Sequence, residues 1–422
     1  MRESPRAISA DYEFVVTYSF SPWRLLTLFA PDLLGNPARG QFYGYGNYWE
    51  DAVYVGILPI LLAIGVVLQS IFFTLRRLRK QSPHHPVTLS PLRPVTPAPT
   101  RHRTSTLAYF LVLLLLMALV LALGRNTPVF PYFYRYVPTF NVFQAPARIM
   151  IWFVFALALL AGLGADLWQS PQGRALYWTR LGVAGAVSAA AVGALAVALL
   201  PSTGRLADQL RTVAQAVALA GVGVLLSAVL SLLKPRTDTE APSAKQLSGA
   251  HSSPALPWEL AVALFLAADL ILAGYGLNPG APPDLYRRPA ASSAQLANVV
   301  GSHRLFQFPD DEQRVKLQRY FSFEHFGALR DARAVREAQL PNVALLDGLA
   351  SANNFDPLVS ARYAGLIEVI SATRSLSLLR LTDVAVVASS ESLPLEADEI
   401  SVGDATTFYR LPGDARRVRV VY

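Results

Sequence analysis

The sequence predicts a polytopic α-helical membrane protein with about six transmembrane helices, followed by a small α+β extracytoplasmic domain. Of its 422 residues, 53% are hydrophobic and only 16% are charged, and the mean hydropathy is +0.34. Soluble domains carry roughly a quarter charged residues. The apolar residues lie in long blocks up to residue 276, whereas the rest of the chain mixes short apolar runs with polar ones. The blocks predict the membrane domain, and the mixed tail predicts the second domain.

The membrane domain is predicted to cover residues 52–276. A helix needs about 20 apolar residues to cross the hydrocarbon core of a bilayer. Six segments meet this length, and they are 52–75, 106–124, 147–168, 181–200, 212–233 and 258–276. The fourth and fifth are rich in Ala and Gly, which predicts close packing of their backbones.

Loop charge predicts the orientation, because cytoplasmic loops carry an excess of Lys and Arg. The loops 76–105, 169–180 and 234–257 hold twelve such residues, whereas 125–146 and 201–211 hold four. We therefore expect the first three loops in the cytoplasm and both chain termini outside. The residues before the first span show no signal peptide that could export them. We expect upstream spans in a separately encoded N-terminal half, which would make this chain a fragment.

Residues 1–51 are predicted to form an extracytoplasmic aromatic loop with a short interfacial helix. The stretch SPWRLLTLFAPDLL can lie flat with its Trp and Phe at headgroup depth. The following GNPARGQFYGYGNYWE is dense in Tyr, Trp, Gly and Asn. Its Tyr48 and Trp49 can face a substrate and stack on sugar rings, or they can belong to an aromatic belt at the membrane surface.

The tail, residues 277–422, is predicted to be an α+β domain large enough for its own core. RLFQF, DVAVVAS and the closing FYRLPGDARRVRVVY predict strands, and EQRVKLQRYFSFEHFGAL predicts an amphipathic helix. A second helix is expected to begin near Pro357. The alternating RVRVVY at the C-terminus suggests an incomplete sheet that continues beyond the chain.

A group of polar residues lies in the loop ahead of that second helix. It comprises Asn342, Asn353, Asn354 and Asp356. Turn chemistry explains these residue types, and contact with a sugar is the alternative.

Composition excludes several kinds of chemistry. The chain has no cysteine, which removes disulfides, thiolate metal sites and cysteine nucleophiles. No phosphate-binding loop, dinucleotide motif or zinc-protease motif is found in the sequence. The six histidines show no metal-ligand spacing on a helix, so no metal site is predicted. The positive charge follows the loops, so we expect no nucleic-acid partner.

Arg148 is the first candidate site residue, within the stretch FNVFQAPARIMIWF. It stands at the outer end of the third span, where an arginine can anchor a helix at the membrane interface. A guanidinium is also well shaped for a lipid-linked phosphate. Pro146 suits the first turn of this helix, because its missing N–H costs nothing there.

Three carboxylates are further candidates. Glu50 and Asp51 precede the first span, where they can face a substrate, hold a divalent cation or complement the helix dipole. Asp269 lies within the last span, and an intramembrane carboxylate indicates function by default. It can couple transport to an ion, or it can form a hydrogen bond with a neighbouring helix.

LALGRNTPVFPYFYRYVPTFNVFQAPARIMIWFVFALALLAGLGAD, residues 121–166, resembles the signature of YfhO-type bacterial membrane proteins. FAPDLLGNP with YWEDAVYVGILPILLA, AADLILAGYGLNP and LPNVALLDGLASANNFDPLVSARY are similar to further segments of that family. Gln144 departs from the pattern, because the family usually has an arginine there. That departure removes one of two candidate phosphate contacts.

The resemblance implies a GT-C-like glycosyltransferase in the bacterial cytoplasmic membrane. Such an enzyme transfers a sugar from a polyprenyl-phosphate donor to an acceptor polymer of the cell envelope. Arg148, with Arg125, is then the candidate for the donor phosphate. The family's catalytic aspartate precedes residue 1 by this alignment, so no catalytic residue is assigned in the chain. A flippase of lipid-linked saccharides and a non-catalytic envelope scaffold are the alternatives.

Overall fold

The chain forms two compact units of different architecture. The computed structural model describes residues 11–40, 42–44, 48–80, 100–201, 204–235, 257–278, 280, 282–320, 332–354, 359–393, 398–402 and 406–413, with only the backbone at 77–80, 100–105 and 401–402. A helical unit comprises Asp11–Asn36 and Phe42–Tyr275, and the second unit contains Gly276–Tyr422. The division falls close to the predicted boundary after residue 276. Most described residues of the predicted segment 1–51 belong to the helical unit rather than standing apart from it.

The helical unit is built mainly from helices. In chain order its α-helices are α1 Tyr12–Val15, α2 Ile57–Lys80, α3 Thr100–Ala122, α4 Phe130–Tyr136, α5 Met150–Asp166, α6 Arg174–Leu199, α7 Arg205–Leu233 and α8 Trp258–Gly274. Short 3-10 helices cover Pro22–Leu28, Gly124–Asn126 and Pro146–Ile149. The first of these three lies in the stretch predicted as an interfacial helix, and its position at a membrane interface stays a prediction.

Among the described residues, four helices are long and apolar enough to cross a membrane. They are Ile57–Arg76, Pro146–Asp166, Arg174–Leu199 and Arg205–Leu233. Large apolar side chains on their outer faces are exposed, for example Val192 at 66% and Leu219 at 61%. These helices indicate a membrane protein. The other two predicted spans also fall on helices, but Thr106–Ala122 and α8 are shorter, so the total of six stays a prediction.

Helix α2 begins at Ile57, five residues later than predicted. The sequence carried a signal for this start, because Pro59 is tolerated in the first turn of a helix but disrupts an interior. The residues before Ile57 are not helical, and Gly56 adopts a φ of +96° that favours glycine. The predicted helix over 52–56 is therefore wrong.

The non-helical segment 52–56 runs beside the first part of α5. Glu50 contacts Arg148 just before α5, and Leu62 packs against Gly164 near the end of α5. A Cβ at Gly164 would lie 2.3 Å from the Leu62 carbonyl oxygen, so only glycine permits this approach. The two chain segments therefore run in the same direction, and α2 starts partway along α5.

The core of the helical unit lies between α2, α3 and α5. Buried side chains from all three helices form one apolar cluster, including Ile60, Leu111 and Leu160. Helices α6 and α7 form an antiparallel pair in which Gly193 and Gly221 each meet the backbone of the opposite helix. The predicted close packing of the fourth and fifth segments is present at these two glycines.

The second unit contains a five-stranded sheet between two layers of helices. Its strands are β1 Arg304–Gln307, β2 Ala350–Ser351, β3 Val384–Ser389, β4 Asp398–Val402 and β5 Thr407–Arg410. Its helices are α9 Asp284–Arg287, α10 Ala291–Val300, α11 Pro309–Arg314, α12 Ala332–Glu337, α13 Ala361–Thr373 and α14 Leu376–Leu381, with a π-helical turn Val315–Tyr320. The strand order is β2-β1-β3-β5-β4.

Strands β2, β1 and β3 are parallel, and β5 and β4 complete the sheet as an antiparallel pair. Leu305 of β1 faces a cluster with α10, whereas Phe306 faces one with α13 and α14. The predicted strands at RLFQF and DVAVVAS are present, but the parallel pairing was not predicted. It gives the unit an α/β centre, because parallel strands need helical crossovers that cover both faces.

Other predictions for the tail have mixed outcomes. The expected helix near Pro357 begins at Ala361. The expected helix over 312–329 is helical up to Tyr320, and its remaining residues lie outside the described part of the chain, as do Asp356 and the closing RVRVVY.

The side-chain amide of Asn353 pairs with the backbone of Gln307, as a neighbouring strand would. Its amide nitrogen donates to the Gln307 carbonyl oxygen at 2.6 Å, and its carbonyl oxygen accepts from the Gln307 N–H at 3.2 Å. Asn342 adopts a left-handed φ of 71°. Both asparagines therefore have structural roles of the kind that turn chemistry predicts.

Candidate functional site

Two neighbouring carboxylates connect the loop before α2 to two different arginines. Glu50 and Asp51 lie in a turn, not on a helix. Asp51 pairs with Arg24, and Glu50 pairs with Arg148. We call these four side chains the paired-ion cluster. The explanation that both acids complement the dipole of the first helix is wrong, because α2 begins only at Ile57.

The pair of Arg24 and Asp51 is buried. Arg24 Nη1 lies 3.0 Å from Asp51 Oδ2, and the two side chains are only 4% and 7% exposed. The Arg24 guanidinium also lies 4.9 Å from the centre of the Phe42 ring. Tyr48 packs edge-to-face on that ring with centroids 5.5 Å apart. Two aromatic rings thus shield one side of the ion pair from water.

Burial changes the acidity of both partners. It raises the pKa of Asp51 to about 6, with the Arg24 charge opposing the rise and the Glu50 charge adding to it. Burial likewise lowers the pKa of Arg24, against the attraction of Asp51. Removing a charge from water disfavours its ionised form, even when an opposite charge is close.

The pair of Arg148 and Glu50 is open to solvent on the arginine side. Arg148 Nε and Nη2 both donate to Glu50 Oε1, at 3.0 and 2.6 Å. The Arg148 side chain is 65% exposed, and that of Glu50 is 16% exposed. Two of the three guanidinium nitrogens therefore contact one carboxylate oxygen, while the cation faces outward.

The chain before α5 fixes the position of Arg148. Pro146 occupies the first turn of the short 3-10 helix, as predicted. Ala145 has a left-handed φ of 68°, and the N–H groups of Ala145 and Ala147 donate to carbonyl oxygens of Val15 and Tyr18. These bonds tie the two residues that flank Pro146 to the end of α1 and the residues after it, so the backbone just before Arg148 is held in place.

Glu50 has one oxygen without a hydrogen-bond partner. Within the described residues, its Oε2 is buried and unpaired. Buried polar atoms normally find a donor, but this oxygen is closed to solvent and therefore does not face a substrate. The described residues contain no group of three or more His, Cys, Asp or Glu side chains that could hold a metal ion.

Arg125, the second candidate for a phosphate, contacts a different part of the unit. Its Nε donates to the Val16 carbonyl oxygen at 3.2 Å, and its Nη2 lies 3.6 Å from Glu13. Its backbone N–H donates to Ser19 Oγ at 3.0 Å. Arg125 therefore holds the residues after α1 against the end of α3, and no described contact joins it to Arg148.

Asp269 contacts the N-terminus of α2. Its Oδ2 accepts from the Ile57 N–H at 3.0 Å, and its Oδ1 accepts from the Tyr54 hydroxyl at 2.6 Å. A carboxylate stabilises the N-terminus of a helix, where backbone N–H groups lack partners. Of the two predicted roles of Asp269, the hydrogen bond to a neighbouring helix is the one present in these contacts.

The two aromatic residues predicted to face a substrate, Tyr48 and Trp49, differ in exposure. Tyr48 is buried at 8% exposure, whereas Trp49 is 43% exposed. Tyr48 is therefore not available to stack on a sugar, because its ring is buried against Phe42. Trp49 keeps an exposed face.

Sequence reasoning missed Arg24. It lies in the stretch expected at headgroup depth, yet it is among the most buried charged residues described. No local pattern shows this, since its partner Asp51 lies in another turn. The neighbouring acids Glu50 and Asp51 were the available signal, because two buried or half-buried carboxylates require cations.

The fold and the paired-ion cluster define a helical membrane protein with charged groups gathered before two of its helices. Comparisons with protein-family models, with curated proteins and with solved structures give no match for this chain. The resemblance to YfhO-type proteins therefore stays a prediction.

Proposed function

We propose that the chain is the membrane part of a GT-C-like glycosyltransferase in a bacterial cytoplasmic membrane. It would act on a polyprenyl-phosphate sugar and transfer the sugar to an acceptor polymer of the cell envelope. The observation that supports this proposal is the exposed guanidinium of Arg148, held on Glu50 immediately before the apolar helix α5. A cation at the end of a membrane helix meets the phosphate of a lipid without leaving headgroup depth.

The proposed reaction is a displacement at the anomeric carbon of the donor sugar. The acceptor hydroxyl forms a bond to that carbon while the bond from the carbon to the phosphate oxygen breaks. The departing polyprenyl phosphate gains negative charge, which Arg148 would stabilise. The exposed face of Trp49 is suited to stack on a sugar ring.

The base that takes the acceptor proton is not assigned to a residue of this chain. Asp51 is a poor candidate, because its side chain is buried against Arg24. The expectation that the base belongs to a separately encoded N-terminal half stays a prediction. We assign recognition of the acceptor to the α/β unit, whose own sheet and core suit an independent binding module.

The test compares two arginine variants in membranes that contain the full chain and its genomic neighbours. Arg148→Gln removes the proposed phosphate contact. Arg135→Gln makes the same charge change on α4, where Arg135 is also exposed. The measurement is transfer of a radiolabelled sugar from its polyprenyl phosphate. We expect Arg148→Gln to lower transfer by about 100-fold, as for other groups that stabilise a leaving oxyanion.

The control variant Arg135→Gln should keep the wild-type rate. Equal rates for the two variants would assign Arg148 to anchoring of the helix and remove the support for the proposal. A parallel measurement of polyprenyl monophosphate binding in lipid nanodiscs separates lost binding from lost chemistry.

The flippase alternative depends on Asp269. Two hydrogen bonds within the helical unit already account for this carboxylate, so no contact favours ion coupling. Asp269→Asn would abolish transport if Asp269 coupled it, whereas sugar transfer in the same membranes should persist. Loss of saccharide translocation with retained transfer would favour the flippase.

A further inference from the structure

A narrow apolar slot lies in the helical unit between α8 and the pair of α2 and α5. Its volume is about 440 Å³, within the range of roughly 300–1,000 Å³ that is typical of ligand sites. The wall on α8 consists of Val262, Leu266 and Leu270, four residues apart on one helix face. Together with Trp258 these residues extend over about 18 Å of helix, at 1.5 Å per residue.

Small side chains on α5 leave this space open. Ala158, Ala161, Gly162 and Ala165 form the opposite wall. A Cβ built on Gly162 meets no heavy atom within 4 Å. None of the residues of α8 is buried, so α8 does not pack closely along the other two helices, although Asp269 joins it to the start of α2. The slot is therefore a gap in helix packing that the chain's described side chains do not fill.

One end of the slot holds a cation beside a pair of aromatic rings. Lys234 Nζ lies 4.1 Å from the ring centre of Trp258 and 5.0 Å from that of Trp168. The two indoles are in edge contact at 4.8 Å, and the Trp258 indole N–H donates to the Leu230 carbonyl oxygen at 2.9 Å. The ammonium is thus fixed at the end of an otherwise apolar slot.

We propose that this slot binds an anionic phospholipid, with one acyl chain between the helices and the headgroup phosphate at Lys234. An apolar cavity does not hold water favourably, because it offers water no hydrogen-bond partners. Basic pockets between membrane helices on the cytoplasmic side suit anionic headgroups, and the loop charges predict that Lys234 lies on that side. The proposal depends on membrane insertion but not on sugar transfer.

The rim residue Glu259 distinguishes an anionic headgroup from a choline headgroup. Glu259 lines the same end of the slot and is exposed. Two indoles and a carboxylate suit a quaternary ammonium, but the ammonium of Lys234 already occupies the position next to the rings. A phosphate approaching Lys234 is repelled by Glu259, so Glu259→Gln should strengthen binding of an anionic lipid and weaken binding of choline.

The experiment measures lipids that stay bound to the full chain purified in detergent. The protein is mixed with equal amounts of phosphatidylglycerol and phosphatidylcholine, and bound lipid is counted by native mass spectrometry. We expect a preference of about fivefold for phosphatidylglycerol, since one Lys near the surface contributes roughly 1 kcal/mol. Lys234→Gln should abolish that preference, whereas the exposed Arg174→Gln at the start of α6 should keep it.

A second pair of variants tests the slot itself. Gly162→Leu fills the gap with a side chain for which there is space, and it should remove the bound lipid of both kinds. Gly182→Leu adds the same volume on α6, where a Cβ also meets no heavy atom within 4 Å. Gly182→Leu should retain the lipid, which controls for a general effect of the substitution.

Three results would overturn the proposal. Equal retention of the two lipids by the wild type would show that the slot does not select an anionic headgroup. Equal loss of preference in Lys234→Gln and Arg174→Gln would indicate general surface charge instead of a site. Retention of lipid by Gly162→Leu would mean that the acyl chain lies elsewhere.

Discussion

Two ion pairs begin from adjacent residues and differ in almost every other respect. Asp51 points inward to a buried arginine, and Glu50 points to an arginine that is 65% exposed. Burial makes the first pair sensitive to the loss of either partner, because a lone buried charge is costly. Solvent weakens the second pair, so its arginine can exchange one anion for another at little cost. Position relative to solvent thus separates a structural role from a binding role within one turn.

The largest expected effect comes from breaking the buried pair. Arg24→Leu leaves Asp51 without its cation and should cost about 3–5 kcal/mol of stability. Thermal unfolding of the purified chain, followed by circular dichroism, measures this loss. The double variant Arg24→Leu with Asp51→Leu should recover most of it, because two apolar side chains can replace a buried pair. No recovery in the double variant would contradict the assignment of the loss to an unpaired charge.

The next largest effect is a pH dependence of stability that the buried pair should cause and the exposed pair should not. The pKa of Asp51 in the folded chain is raised to about 6 from an ordinary value of 3.8. The unfolded chain therefore loses this proton first, and stability should fall as the pH rises from about 4 to 6, then level off. The shift corresponds to about 3 kcal/mol. Unfolding midpoints across this range measure it, and the difference should vanish in the double variant at positions 24 and 51.

The exposed pair should contribute little to stability. Glu50→Gln is expected to change the unfolding free energy by less than about 1 kcal/mol. The same variant should bind polyprenyl monophosphate more tightly, because it removes the anion that competes for Arg148. Titration in nanodiscs measures this affinity. Weaker binding in Glu50→Gln would instead identify Glu50 as a residue that positions the guanidinium.

The smallest effect on stability is expected at Trp49. Trp49→Ala removes an exposed ring and should change the free energy of unfolding by no more than about 0.5 kcal/mol, as at most surface positions. A substrate-facing role predicts weaker binding of a polyprenyl-phosphate sugar with unchanged binding of polyprenyl monophosphate. Equal weakening of both ligands would assign Trp49 to the membrane interface.

The sequence alone predicted the features that depend on local pattern. Each of the six apolar blocks contains a helix, because a helix satisfies its own backbone hydrogen bonds where no water is present. The turn at Pro146 follows from the missing N–H of proline. Pro59 marks the true start of α2 by the same principle, although the apolar composition of 52–56 concealed it. The strands at 304–307 and 384–389 follow from short β-branched and aromatic runs.

The remaining features depend on contacts between distant residues. Arg24 and Asp51 lie in separate turns, and Asp269 meets Ile57 across 212 positions of sequence. The parallel pairing of β1 with β3 likewise joins distant segments. No periodicity or residue type encodes such a partner, so a single sequence cannot distinguish a buried arginine from one at the headgroups. The paired-ion cluster therefore emerges only when these segments are brought together.

The bond between Asp269 and Ile57 has a consequence for biogenesis. During synthesis α2 emerges long before α8, and at 5–20 residues per second the delay is roughly 10–40 s. Until α8 arrives, the Ile57 N–H at the start of α2 lacks the carboxylate that accepts its hydrogen bond in the finished fold. We expect α2 to enter the bilayer first in a position that differs from its final one. It should reach its final position only after insertion of α8. Glycosylation-site mapping of nascent chains that end before and after residue 269 can follow this change.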